Sequence, residues 1–399
     1  MILINPFAGT NKEIPNLQLT YIGTISNSRI IDLNTREEPN DRFLDEKSDI
    51  LGISIQSRTY NESIKITRLY KKKYPKAKVV SVSGIIGIEC CYPFLKSEED
   101  LNFPQPFDDN LPFPKYELFD SFDIFKKHWQ TGNWPYTITT SQGCPYQCTY
   151  CSARNRPWKS RSTENCFQEL KQAKKRYGIK AFQILDDCFN LDPRRVIDFC
   201  NKVKELNLRW NCSNGLRVNS FDEKLAEALA NSGCKEVSFG IESLSPDVLV
   251  NIKKGINPEM IEKAISIAKK YFQFVNGFFI IGLPGSTYHK DLNSLHWALR
   301  HNINAHFSYY LPFDKLMQFD KNFYGQLSDP ISDEYPKHLQ RRIANLSKFM
   351  GGEASGYSRK KRVIVTTRAI LKYDFKYILF YIKVGANRLL SKIKTKLLK

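Results

Sequence analysis

The sequence is short of the residues that most often announce a simple metal site or a membrane span. It has six histidines in 399 residues, none of them before His128, and no cysteine beyond Cys234. The longest apolar run of the C-terminal tail, residues 377–382, is far below the roughly 20 residues a helix needs to cross a bilayer. Residues 1–6 lead straight into polar sequence without a basic start or a long apolar core, so no secretory signal is expected there. Ten cysteines in such a chain argue against a disulfide framework and for a reducing cytoplasm, where thiols stay available to metals. Acid is scarce in one place. Between 359 and 399, 13 Lys and Arg meet one acid, Asp374, so +12 of the formal +19 sits in this tail and the other 358 residues carry only +7.

The charge is therefore not a nucleic-acid footprint spread over the fold. Basic residues mixed with Leu, Ile and aromatics over 366–398 predict amphipathic helices. Such helices could pack on the protein, lie on an anionic membrane at its inner face, or meet an acidic partner or RNA. With 42% hydrophobic and 13% aromatic residues the chain can bury sizeable cores, and its length suggests two or three domains.

What the chain does have is three cysteines in one tight loop, Cys144-Pro-Tyr-Gln-Cys148-Thr-Tyr-Cys151. Iron–sulfur cubanes usually take four cysteine thiolates, so a loop offering three leaves one iron open to a small molecule. A structural zinc site would need a fourth Cys or His nearby. The next cysteine is Cys166 and the next histidine is His289, and neither is near. The other seven cysteines, Cys90, Cys91, Cys166, Cys188, Cys200, Cys212 and Cys234, show no second cluster spacing. Small buried core residues are the expectation for most of them.

Around the loop the pattern is α/β. Strands are expected at 1–5, 29–33, 49–55 and 79–82 with helices at 17–25 and 60–74, an incomplete doubly wound domain with a parallel sheet. Four prolines between 103 and 114 force extended chain, read as a linker running to 134. From 135, strands at 136–140, 181–186, 210–216, 236–241, 275–281 and 306–310 alternate with helices, making six β/α units of an open barrel. Chemistry in parallel barrels sits at the carboxyl ends of the strands, and the cysteine loop follows the first of them. The expected divisions are 1–102, 103–134, 135–325 and a basic helical extension over 326–399.

The three-cysteine loop, with Tyr150 before its last cysteine, resembles the hallmark of the radical S-adenosylmethionine (SAM) enzymes. Segments 213–217, 240–243, 251–255 and 277–285 resemble that family's strand ends in the same order. The resemblance implies a 4Fe-4S cluster on Cys144, Cys148 and Cys151, with SAM chelating the open iron and its reductive cleavage giving a 5′-deoxyadenosyl radical. It further implies that Glu242 binds the SAM ribose or amino group and that Lys254 faces its carboxylate. Backbone near Tyr150, Gly282 and Leu283 would hold the adenine, with Asn214 and Arg217 also in the cofactor site. Residues 1–88 resemble the cobalamin-binding domain of a large subfamily. The cobalt-ligating Asp-x-His-x-x-Gly loop is missing, and the resemblance implies that a final strand and helix are deleted after Gly84. Two departures fall in the barrel, where Asp186-Asp-Cys-Phe189 replaces a Gly-Gly-Glu segment and Ser286 replaces a glutamate.

By position at strand ends, Cys188 and Cys212 are candidate hydrogen-atom donors, and Tyr309 and Tyr310 candidate pocket residues. Each has a plainer alternative: core packing for the cysteines and tyrosines, a surface ion pair for Glu242 and Lys254, a strand-ending turn for 282–285. The expected activity is radical chemistry on an unactivated carbon, with cobalamin-dependent C-methylation leading if corrinoid binds. Without corrinoid, epimerisation, cyclisation or rearrangement leads, and an RNA- or membrane-surface protein with a structural cluster is the third alternative. Implied partners are SAM, a low-potential electron donor such as flavodoxin or ferredoxin, and a peptide, lipid or natural-product substrate.

Overall fold

A computed structural model describes residues 1–7, 15–34, 41–55, 59–82, 107–312, 330 and 332–351. The expected deletion after Gly84, Cys90 and Cys91, most of the proline stretch before 107 and the basic tail over 359–399 lie outside the described residues.

The N-terminal strands β1 (Ile2–Asn5), β2 (Arg29–Asp32), β3 (Ile50–Ile53) and β4 (Lys78–Ser81) form one parallel sheet in the order β2-β1-β3-β4. Helices α1 (Leu17–Ser26) and α2 (Tyr60–Lys73) are its crossovers. Alternation along β1 explains why both faces are buried. Leu3 joins Leu17, Leu19 and Ile22 of α1 in a core continuous with the barrel. Ile2 and Ile4 face the other way, onto Ile31, Leu51, Ile53, Ile66 and Tyr70. The chain reverses direction across the sheet between β1 and β3, the switch point where doubly wound sheets bind ligands at their carboxyl edge.

The region expected as a linker is folded in its second half. Residues 108–111 turn, with the Asn110 N–H donating to the Asp108 side chain at 2.8 Å, and 112–115 carry no regular structure. Beyond them come a short 3-10 turn, Tyr116–Leu118, and α3 (Phe122–Thr131), stopped by Gly132 at φ 74°. Phe122, Phe125 and Trp129 recur at helical spacing, and Trp129 meets Tyr116 edge-on at 5.0 Å. This aromatic core outweighs the influence of the prolines upstream. The same segment joins the two domains, because Asp120 N–H donates to the Ile30 carbonyl at 2.9 Å and Arg42 pairs with Asp120 at 2.8 Å.

The barrel strands are β5 (Tyr136–Ile138), β8 (Ala181–Ile184), β9 (Arg209–Cys212), β10 (Glu236–Glu242), β11 (Phe274–Ile281) and β12 (Asn304–Tyr309). Between β5 and β8 a two-residue antiparallel pair, β6 (Ser141–Gln142) and β7 (Lys159–Ser160), pinches the cysteine loop at its base. Sheets β5-β8-β9 and β10-β11-β12 are parallel throughout and touch through the bridges Trp210–Cys234 and Leu216–Phe239. The third strand is shorter than expected because Gly215, at φ 83°, breaks it before Leu216 resumes the pairing.

Helices α4 (Thr163–Tyr177), α5 (Pro193–Val203), α6 (Glu223–Asn231), α7 (Pro246–Asn251), α8 (Pro258–Tyr271) and α9 (Tyr288–Arg300) cover the outside. Five of them start on side-chain caps from Ser162, Asp192, Asp222, Asn257 and Thr287, which satisfy amide groups the first turn leaves without partners. Helix α10 (Lys337–Gly351) packs Ile343, Ala344 and Leu346 against Ile281, Leu292 and Leu295 of the barrel. Among the described residues no helix is long and apolar enough to cross a membrane.

Candidate active site

Strand alternation decides which side chains the site can use. On β9, Trp210 stacks on Phe182 at 5.5 Å and meets Phe199 of α5 edge-on, so that face points to the helix layer, and Cys212 two residues on shares it. Cys212 is therefore a core residue, and burial pushes its thiol pKa well up. The same correction applies to Tyr309, which packs among Ile281, Leu292 and Tyr335 under α9 and α10, while Tyr310 packs against the main core. The opposite face carries polar residues. Gln183 donates to Asn211 at 3.0 Å and Asn211 to Glu236 at 2.7 Å; Asn276 donates to Ser238 at 3.2 Å and Asn304 to Asn276 at 3.0 Å.

The cysteine loop is built rigidly onto the ends of β5 and β8. Asp186, 2% exposed, accepts from the Thr140 N–H, the Thr140 hydroxyl and the Ser141 hydroxyl, each at 2.6 Å. Asp187 accepts from the Gly143 N–H at 2.9 Å. Gly143 has φ 87°, and a Cβ there would lie 2.2 Å from the Pro157 carbonyl, so only glycine closes the loop. On its far side the loop is tied by the Thr149 N–H to the Ile252 carbonyl at 3.0 Å.

All eight described cysteines are outside disulfides. Cys144 and Cys148 are buried and Cys151 is half-buried. Two cations relieve charge on this trio. The Arg217 guanidinium reaches Cys148 Sγ at 4.0 Å, lies 3.4 Å from the Tyr146 ring centroid and donates to the Lys254 carbonyl at 2.6 Å. Asn190 holds Arg217 by its backbone with bonds of 2.8 and 2.9 Å. The Cys144 thiol is lowered to about 6, chiefly by the neighbouring Cys188 thiol and against the opposing effect of burial, with the Arg217 charge lowering it further. Burial, and then the charges of Cys148 and Cys144, raise Cys151.

Beside the trio, Lys254 Nζ sits 2.9 Å from Glu242 Oε1 and 2.9 Å from the Tyr150 hydroxyl, which itself lies 3.0 Å from Glu242. Both charged residues are more than nine-tenths buried, which rules out a surface pair. Glu242 has φ 66° at a bulge where β10 shifts register against β11, a strained setting for a residue with a Cβ. Gly240 leaves the room, since a Cβ there would lie 2.9 Å from Glu242 Oε1 and 3.0 Å from Lys254 Nζ. The other expected residues are placed differently. Asn214 is exposed and donates to the carbonyls of Leu185 and Asp186 at 3.0 and 3.1 Å. Gly282 gives its N–H to Asp291 and accepts from Ser332, and Leu283 is fully buried. Ser286, standing where the family has glutamate, donates to Asp291 at 2.6 Å, so Asp291 holds this turn together.

The donor set suits an iron–sulfur cluster. Three thiols from one loop lie next to two cations, and the Thr149 hydroxyl between Cys148 and Tyr150 is buried without a hydrogen-bond partner among the described residues. No three His, Cys, Asp or Glu side chains of the described residues converge closely enough for a single metal ion, as a zinc knuckle requires. Residues 138–298 match the Radical SAM superfamily. The barrel is a radical SAM domain. Among curated proteins the chain is 36% identical over 212 residues to an uncharacterized methyltransferase of Pyrococcus horikoshii, covering 51% of this chain and 45% of that one. It is 32% identical over 188 residues to cytidylyl-2-hydroxyethylphosphonate methyltransferase of Streptomyces wedmorensis, covering 44% and 35%. The chain thus spans less than half the length of these curated relatives. Among solved structures its fold is similar to the cobalamin-dependent SAM radical enzyme OxsB with aqua-cobalamin and SAM bound, at TM-score 0.62 and 17% identity over 98% of this chain and 74% of that one. It is also similar to the radical SAM methyltransferase TsrM of Kitasatospora setae with cobalamin and a [4Fe-4S] cluster bound, at 0.57 and 16% over 77% and 74%.

Sequence reasoning overlooked the two residues that clamp the loop. Asp186 and Asp187 stood out only as a departure, although adjacent acids at the carboxyl end of a buried strand are themselves a signal of loop anchoring. Tyr146 and Asn190, which orient Arg217, carried no such mark.

Proposed function

We propose that this protein is a radical SAM C-methyltransferase that uses cobalamin. When bound, the cluster and SAM supply one-electron cleavage of a sulfonium and a carbon radical strong enough to take hydrogen from an unactivated carbon, and a corrinoid supplies the methyl group. The chain's own residues hold and orient. Cys144, Cys148 and Cys151 would hold three irons. Lys254, held beside Glu242 and the Tyr150 hydroxyl, offers its ammonium to a carboxylate. Glu242 accepts from an ammonium or from ribose hydroxyls. The buried Thr149 hydroxyl is one more group available to SAM.

The N-terminal sheet suits a cofactor at its carboxyl edge. Small polar residues line the switch point there, with Asn16 donating to Ser54 at 3.1 Å and to Asn5 at 3.4 Å. Asn5, Asn16 and Ser54 would hold the corrinoid side chains. The observation that carries the proposal is the buried Lys254–Glu242–Tyr150 trio beside the cysteine loop. Anaerobic reconstitution tests it. The expected result is a corrinoid visible spectrum, together with 5′-deoxyadenosine and S-adenosylhomocysteine by mass spectrometry when a substrate is supplied. 5′-Deoxyadenosine without bound corrinoid would replace methylation by epimerisation, cyclisation or rearrangement, and neither product would end the enzymatic reading. Electron delivery by flavodoxin or ferredoxin, and a peptide, lipid or natural-product substrate, belong to the same proposal.

A further inference from the structure

The helix layer of the barrel pairs its surface cations. Arg176 pairs with Glu117, Lys202 with Glu164, Lys270 with Glu223 and Lys290 with Asp247. Around the cysteine loop this pairing stops. Residues 143–163 contain no acid, and neither do residues 248–258, the segment to which the far side of the loop is tied. Arg156 and Lys159 on the returning arm of the loop, and Lys253 on the second segment, are exposed, and none of the three makes an ion pair among the described residues. Nearby acids are engaged: Glu164 with Lys202, Asp187 with the Gly143 N–H and Asp192 with the first turn of α5. Backbone hydrogen bonds fix these cations close to the cluster cysteines. The Arg156 N–H donates to the Cys144 carbonyl at 3.0 Å. The Thr149 N–H, one residue past Cys148, donates at 3.0 Å to the carbonyl of Ile252, the residue before Lys253. Pro145 and Gln147 are exposed while Cys144 and Cys148 are buried, so the thiols lie under a neutral strip of surface flanked by positive charge.

We infer that this acid-free rim of Arg156, Lys159 and Lys253 is where an acidic, low-potential electron-transfer protein docks to reduce the cluster. The inference rests on the radical SAM reading above and locates the surface through which its electron enters. In that step one electron leaves the reduced donor, the cluster gains it, and no bond or proton changes hands. The inner side of the loop is taken, because the Tyr150 hydroxyl turns onto the buried Lys254–Glu242 pair, so a protein-sized donor is left with the outer side. Cations without carboxylate partners set up a positive potential there, and such a potential speeds encounter with an acidic partner by roughly 10- to 1,000-fold at low ionic strength. Charges at the rim of a docking site act mainly on association rate and its salt dependence. A face that only keeps the chain in solution can carry both signs, as the helix layer does.

The test compares wild type, Arg156→Glu/Lys159→Glu and Lys253→Glu after anaerobic reconstitution, reading iron content and then the rate of cluster reduction by stopped-flow absorbance. Reduced flavodoxin is the acidic donor, and reduced methyl viologen, a small cation, is the control. Iron content is expected to stay at the wild-type level. The second-order rate with flavodoxin is expected to fall about tenfold or more at low salt in the double variant, and less in Lys253→Glu, with the differences shrinking at high salt. The methyl viologen rates are expected to be unchanged or to rise. Equal flavodoxin rates in wild type and both variants would overturn the inference. A parallel fall with methyl viologen, or loss of iron in both variants, would overturn it in favour of a structural role for these side chains. A wild-type protein that takes up no cluster would overturn the radical SAM reading itself, a failure distinct from that of the docking surface.

Discussion

The chain builds two parallel sheets and uses them differently. In the N-terminal sheet the four strands are four residues each, and the polar groups at the carboxyl edge bond one another. In the barrel, the same edge carries a cysteine loop anchored by Asp187, a buried ion pair and a strained glutamate. A sheet edge that does chemistry needs its side chains fixed, as Asp187 fixes Gly143 and Lys254 fixes Glu242 in the barrel.

The largest effect that tests this contrast should follow from Cys148→Ala. Loss of one cluster thiol is expected to abolish iron incorporation and 5′-deoxyadenosine formation while leaving the N-terminal sheet intact, as read by iron analysis, mass spectrometry and region-resolved hydrogen exchange. Coupled loss of protection in the N-terminal sheet would show that the regions are one cooperative unit. Next in size is Lys254→Met, which leaves the Glu242 carboxylate buried without its cation. Breaking a buried pair in this way costs about 3–5 kcal/mol, to be read by chemical denaturation of the apoprotein. The double variant Lys254→Met/Glu242→Gln should recover part of it. Equal destabilisation of single and double variants would mean that packing, not charge, is what the pair contributes.

Most elements were legible because their signals are local. Pro193 after Asp192 is a helix start by capping chemistry, and the helix begins there. The cysteine loop was legible because its spacing is its chemistry. What escaped was set by contacts distant in sequence. The helix Phe122–Thr131 forms because Tyr116, Tyr136 and Tyr177 receive Trp129, and nothing within the proline stretch states this. Cys212 and Cys188 both sit near strand ends, but one faces the helix layer and the other the cluster loop. Strand phase decides the first, whereas the second depends on Asp186 and Asp187 reaching across to Thr140 and Gly143.

The N-terminal sheet can be weakened without touching the barrel edge. Gly52 lies against Leu3 and Val82, and a Cβ there would come within 2.6 and 2.9 Å of their side chains. Gly52→Val is expected to cost about 2–3 kcal/mol by overpacking and to lower corrinoid uptake while iron content stays at the wild-type level. A fall in iron content would show that the cluster loop depends on the sheet.

The smallest effect separates the regions by pH. In the N-terminal sheet, burial raises Asp32 to about 6, so the folded state binds its proton more readily than the unfolded one. That contribution is full below the unfolded value near 4 and is lost as pH rises through 6. In the barrel, His296 of α9 is lowered from its ordinary value to about 4, first by burial and then by the Arg300 charge. The unfolded chain takes up that proton below about 6.5, so this contribution is present above 6.5 and is lost as pH falls toward 4. Between pH 6.5 and 5 the two act in opposite directions, by roughly 1 kcal/mol each after allowance for partial solvation. Hydrogen exchange at the two pH values should therefore show protection rising in the sheet and falling in α9. Asp32→Asn should flatten the first response and His296→Gln the second. A uniform change across both regions would mean that neither group governs its own region and that the two sheets answer to acid as one body.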